Sequence, residues 1–119
     1  MDLIHLQDIH SQCQIISSIP VAICLISQDG YILGVNNELL RYVNVDVSSG
    51  FRHLNEFLDV TSVRQVDVIL EVLRQNECRL TMEVTVQWKP QFLRALPCWP
   101  TPWLITGYND CEVWTFCLK

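Results

Sequence analysis

Apolar residues recur every three or four positions at the start of the chain, where Leu6, Ile9, Cys13 and Ile16 are separated by Gln7, Asp8, Gln12 and Gln14. That spacing predicts an amphipathic helix from Asp2 to Ser18, bounded by Pro20. The stripe is shorter than two heptads, enough to pack on a neighbouring surface but too short to dimerise alone. Val21 to Ser27 is a continuous apolar strand, Gln28, Asp29 and Gly30 supply turn chemistry, and Tyr31 to Val35 is a second strand, so a hairpin is expected. Asn36 and Asn37 then open a short helical piece, Glu38 to Val43, because an Asn side chain can accept the free amides of a first turn.

Residues 44 to 60 predict a loop and one or two helical turns around Phe51, Leu54, Phe57 and Leu58. Ser62 followed by Gln65 has the spacing of a capping box, and Val63, Val66, Ile69, Leu70 and Leu73 form one stripe with Arg64, Asp67, Glu71 and Arg74 outside it. The best helix of the chain is therefore placed at residues 61 to 76. The period then changes to two: Leu80, Met82, Val84, Val86 and Trp88 alternate with Arg79, Thr81, Glu83, Thr85 and Gln87, the pattern of a half-buried antiparallel strand. Lys89 and Pro90 make a turn, Phe92 to Leu96 reads as a strand interrupted by Pro97, Pro100 and Pro102, and Trp103 to Tyr108 resumes it. A last strand, Glu112 to Leu118, carries Trp114, Phe116 and Leu118 on one face and Val113, Thr115 and Cys117 on the other.

This order of elements predicts an α+β domain, a five-stranded antiparallel sheet with its helices on one face. Residues 1–20 form an N-terminal amphipathic helix and residues 21–119 the core domain. A last strand running to the final residue reads as a domain cut from a longer protein.

Composition narrows the partners. The 119 residues carry 8 Lys and Arg against 13 Asp and Glu, a net charge of -5 with no basic cluster, so neither nucleic acid nor an anionic membrane is an expected partner. The mean hydropathy is +0.21. The start lacks the pattern of a signal peptide and no apolar run approaches a membrane span, which predicts a cytoplasmic domain. The six cysteines, at positions 13, 24, 78, 98, 111 and 117, form no C-x-x-C pair and lie in apolar runs, so they read as reduced core thiols, with redox sensing or metal binding as the alternative.

Four stretches together resemble the PAS (sensory box) family over residues 15 to 118. They are Ile15-Ile16-Ser17-Ser18-Ile19-Pro20-Val21-Ala22-Ile23-Cys24-Leu25-Ile26, Asp29-Gly30-Tyr31-Ile32, Val35-Asn36-Asn37-Glu38-Leu39-Leu40, and Gly50. In that family the Asp-Gly turn joins the first two strands, the Asn starts the first short helix, and a Gly precedes the next helical turns. The resemblance stops at Lys89-Pro90-Gln91, where the family usually has a second Asp-Gly turn, and at the missing Asp-Ile-Thr after the last strand. It implies a sensory module that binds a small ligand between sheet and helices and signals to a C-terminal output domain of the diguanylate cyclase (GGDEF) or histidine kinase kind, in a bacterial-type signalling protein. The alternative is a ligand-free interaction and dimerisation module with Leu6, Ile9, Cys13 and Ile16 in a homodimer seam.

The resemblance also sorts cofactors. Haem-binding members carry an axial His on the long helix, where this chain has none, and blue-light flavin members use a Cys that Phe51-Arg52-His53-Leu54-Asn55-Glu56-Phe57-Leu58 lacks. Haem and a cysteinyl-flavin adduct are thus not expected; Trp88, Trp99, Trp103 and Trp114 leave room for non-covalent flavin or another small organic ligand, although indoles more often fill cores. His53 reads as a helix-start residue, and His5 and His10 are spaced wrongly for a shared metal, so no metal site is expected. Ligand-pocket walls would come from Phe57, Leu58, Val66, Ile69, Leu70, Leu73, Leu80, Met82, Val84 and Val86, and the same residues could form a filled core. With no G-x-S-x-G, P-loop, H-E-x-x-H or G-x-G-x-x-G motif, no catalytic residue is expected and the chain itself is not read as an enzyme.

Overall fold

A computed structural model describes residues 14–119. The predicted N-terminal helix falls largely outside that range. Leu6, Ile9 and Cys13 are not described; residues 14–17 are helical, and Ile16 is buried.

Five strands make one antiparallel sheet in the order β2-β1-β5-β4-β3. They are β1 (Ile23–Ser27), β2 (Ile32–Val35), β3 (Leu80–Val86), β4 (Thr101–Gly107) and β5 (Val113–Leu118). The first two join through Asp29-Gly30, where Gly30 has φ +93, a backbone state open to glycine at little steric cost. The N- and C-terminal strands therefore lie side by side at the centre, with β1 paired along its whole length to β5.

Two helices cover one face. Helix α1 (Asn37–Tyr42) starts where Asn36 Oδ1 accepts from Leu39 N at 2.9 Å, as its sequence predicts. Helix α2 (Val60–Arg74) begins earlier than residues 61–76 suggest, because its cap is Asp59, whose Oδ1 accepts from Ser62 N at 2.8 Å. The Ser62 hydroxyl accepts instead from Gln87 N at 2.7 Å, tying the helix start to the end of β3. Val66, Ile69, Leu70 and Leu73 face inward as the stripe requires.

The strand expected at Phe92–Leu96 is absent. Pro90–Phe92 forms a single 3-10 turn, and only Leu93 makes a bridge, to Val43. Pro90, with its fixed φ and no donor, favours that turn over a ladder. Strand β4 accommodates Pro102 because β5 ends beside it: Leu118 pairs with Trp103, and beyond that pair Lys119 N donates to Pro102 O at 3.1 Å. Among the described residues no helix is long and apolar enough to cross a membrane.

Candidate functional site

The expected ligand chamber lies between the sheet and its helices, and aromatic side chains occupy it. Period-two alternation aims Val84 and Val86 of β3, Trp103 and Ile105 of β4, Trp114 and Phe116 of β5, and Cys24 and Ile26 of β1 into that space. Trp103 stacks on Phe116 with ring centres 4.7 Å apart and planes 12° from parallel, and Trp88 leans on Trp103 at 5.4 Å. Phe57, from the Leu54–Glu56 turn, meets Phe92 edge-on at 4.8 Å. The three buried indoles are at most 1% exposed.

Of the ten residues expected to wall a pocket, Phe57, Leu58, Val66, Ile69, Leu70, Leu73, Val84 and Val86 are buried in this one cluster, and Met82 packs against it half-buried. Leu80 does not join them. It is 37% exposed, because β3 enters the sheet beyond the end of the helix cover and only its second half lies under α2.

Polar atoms inside the cluster are few. Trp103 Nε1 donates to Thr101 Oγ1 at 3.0 Å, and Trp114 Nε1 to the carbonyls of Cys111 and Tyr108 at 2.7 and 3.0 Å. Trp88 Nε1 and Asn55 Oδ1 are buried without a partner among the described residues. The Cys24 thiol is fully buried, and desolvation, with Cys117 nearby, pushes its ionisation far above the ordinary range.

The other cysteines depart from the expected core thiols. Cys78 and Cys98 are exposed and Cys111 and Cys117 are half-buried, because they sit in loops or on the outward side of β5. Cys78 and Cys111 do share a depression, described below. No group of three or more His, Cys, Asp or Glu among the described residues could hold a metal ion. His53 caps the Leu54–Glu56 turn, with Nδ1 accepting from Asn55 N at 3.1 Å and Nε2–H donating to Asp29 O at 2.6 Å. It fastens that turn to the β1–β2 hairpin.

Two features were not read from the sequence. Asn36 is far more than a helix cap: it is 2% exposed, its Oδ1 also accepts from Ile23 N at 3.2 Å, and its Nδ2 reaches the carbonyls of Val21, Ile16 and Ile19 at 2.7 to 3.3 Å. One amide thereby joins the N-terminal segment, β1 and α1. The second is the apolar cover on part of the sheet's outward face. There Ile16 and Ile19 cover Ile23, Leu25, Leu33, Val113 and Cys117, while Thr81, Thr106 and Thr115 make a polar row beside them. Thr81 belongs to the polar side of the β3 alternation that the sequence shows, and the register extends it through Thr106 to Thr115.

No protein-family model matches the sequence, and a search of curated proteins finds no match. Among solved structures, the PAS domain of an HTR-like protein from Haloarcula marismortui aligns with 97% of this chain and 93% of its own, at a TM-score of 0.56 and 16% identity. With the strand order and the hairpin turn as found, the chain has the fold of a PAS domain.

Proposed function

We propose that this chain is a regulatory module of a signal-transduction protein, working as a packed interaction module rather than as a cofactor chamber. Its outward sheet face and N-terminal segment would couple it to a second copy and to an attached output domain. A diguanylate cyclase or a histidine kinase is the kind of output that the family resemblance suggests. The observation that carries this reading is the aromatic block of Trp88, Trp103 and Phe116, which fills the space a small ligand would need. Signals then have to pass through surfaces. The Ile16 segment packed on the outward face offers such a route, and Leu6, Ile9 and Cys13 precede it in the sequence.

A second reading, a small organic ligand or non-covalent flavin inside, is favoured by one observation, the unpartnered indole N–H of Trp88. Native mass spectrometry and visible absorbance of the purified chain separate the two. The bare polypeptide mass with no absorbance above the protein band is expected; a retained small molecule would replace the first reading by the second. Sedimentation of the whole chain against one lacking residues 1–18 tests the homodimer: loss of the N-terminal segment should lower the association state.

A further inference from the structure

A depression of about 530 Å³ opens on the outward side of the sheet, away from the aromatic interior, and is lined by Cys78, Arg79, Thr106, Tyr108, Cys111 and Thr115 among others. Its position follows from register. Leu80 pairs with Gly107 and Thr106 with Thr115, so one step beyond the end of the β3–β4 ladder Arg79 lies beside Tyr108 on the outward face. The Cys78 and Cys111 loops close the end.

The lining chemistry is specific. Arg79 is exposed and has no ion pair or hydrogen bond among the described residues, so its guanidinium is available to a carboxylate. The two thiols differ: Cys111 Sγ donates to Val113 O at 3.1 Å and is half-buried, while Cys78 is exposed with no such bond described. Pockets of a few hundred cubic ångströms hold ligands of drug or short-peptide size.

We propose that this depression is a modification site at which Cys78 forms a mixed disulfide with a small carboxylate-bearing disulfide. The Cys78 thiolate attacks one sulfur of the reagent. A new S–S bond forms to Cys78 as the reagent's own S–S bond breaks, and the departing thiolate keeps the electron pair and takes a proton from water. Cys78 is oxidised and half of the reagent is reduced, so the exchange needs no other oxidant. Arg79 acts by binding the reagent's carboxylate beside the thiol, which raises the local concentration of the disulfide. Glu77, next in sequence to Cys78, opposes anion binding, so a preference for an anionic reagent is assigned to Arg79.

The chain carries its own reference in Cys98, which is exposed in the loop before β4 and does not line the depression. Oxidised glutathione, which is anionic, and bis(2-hydroxyethyl) disulfide, which is neutral, are added separately to the full chain. Adduct formation at each cysteine is followed by peptide mass mapping. With oxidised glutathione, Cys78 should react about fivefold faster than Cys98, a surface charge contact's worth, and the neutral reagent should show little preference. Arg79→Gln should abolish the preference and Arg79→Lys should keep part of it. Equal rates at Cys78 and Cys98 with the anionic reagent, or a preference that survives Arg79→Gln, would overturn the proposal.

Discussion

The two faces of the sheet are written with the same period of two and have different fates. The inward face meets α2 and the two 3-10 turns, and every large side chain it presents from the centre of the sheet is closed off from water: Trp103, Ile105 and Phe116 are fully buried. Among the described residues the outward face meets only residues 14–19, which cover the β1–β5 half with Ile16 and Ile19 and leave the β3–β4 half to threonines and the Arg79 depression. Alternation decides which residues share a face; the covering elements decide whether that face becomes a core, an interface or a site. The inward face is packed with aromatic side chains, and the outward face carries the depression beside Arg79.

The contrast is broken most severely by Trp103→Ala. Removing an indole that stacks on Phe116 and meets Trp88 at a tilt should cost about 3–5 kcal/mol, measured by urea unfolding, while Thr81→Ala on the outward face should stay within about 1 kcal/mol. Equal losses at the two sites would remove the distinction between faces. Gly107→Ala comes next. A Cβ there would run into the Trp114 ring at Cδ2, Cγ and Cε2, and the rigid indole cannot yield as a flexible side chain would, so a loss of about 2–3 kcal/mol is expected in the same assay.

Asn36→Ala joins the faces rather than separating them. It strips partners from the N–H groups of Leu39 and Ile23 and from three carbonyls at once, and should cost about 2–3 kcal/mol. Hydrogen exchange should show residues 16–21 loosening with α1; an unaffected N-terminal segment would mean that Asn36 is a cap alone.

The smallest effect is electrostatic. The His53 N–H and then the Arg52 guanidinium hold the Glu56 carboxyl below its ordinary range. Its ionised form is favoured by folding, so its contribution is present above the unfolded-state range and is lost as pH falls through the folded-state value. Glu56→Gln should flatten the acid limb of the stability curve and leave neutral-pH behaviour of the Trp103 block untouched.

Much of this was legible in the sequence, for identifiable reasons. The stripe at Val66, Ile69, Leu70 and Leu73, the alternation after Cys78, and the Asp29-Gly30 turn each rest on a local period or a local backbone demand, and the folded chain keeps all three. The misplacements depend on distant partners. Ser62 has the spacing of a cap but its hydroxyl is taken by Gln87, from 25 residues away. Phe92–Leu96 has strand-like composition but only a single bridge to Val43 for a partner. Leu80 obeys the alternation perfectly and is exposed because the helix cover stops short of it. The depression was hidden for the same reason, since Cys78, Arg79, Tyr108 and Cys111 become neighbours only through the β3–β4 register.

Xenon-pressurised spectra of the ¹⁵N-labelled chain test the closed interior most directly, because xenon enters dry apolar cavities and shifts the signals that line them. The indole N–H signals of Trp88, Trp103 and Trp114 should hold their positions as pressure rises, with any response confined to exposed groups such as Trp99. Saturable shifts of Trp88 and Trp103 together would reveal an open chamber between the sheet and α2 and would contradict the packed-module account.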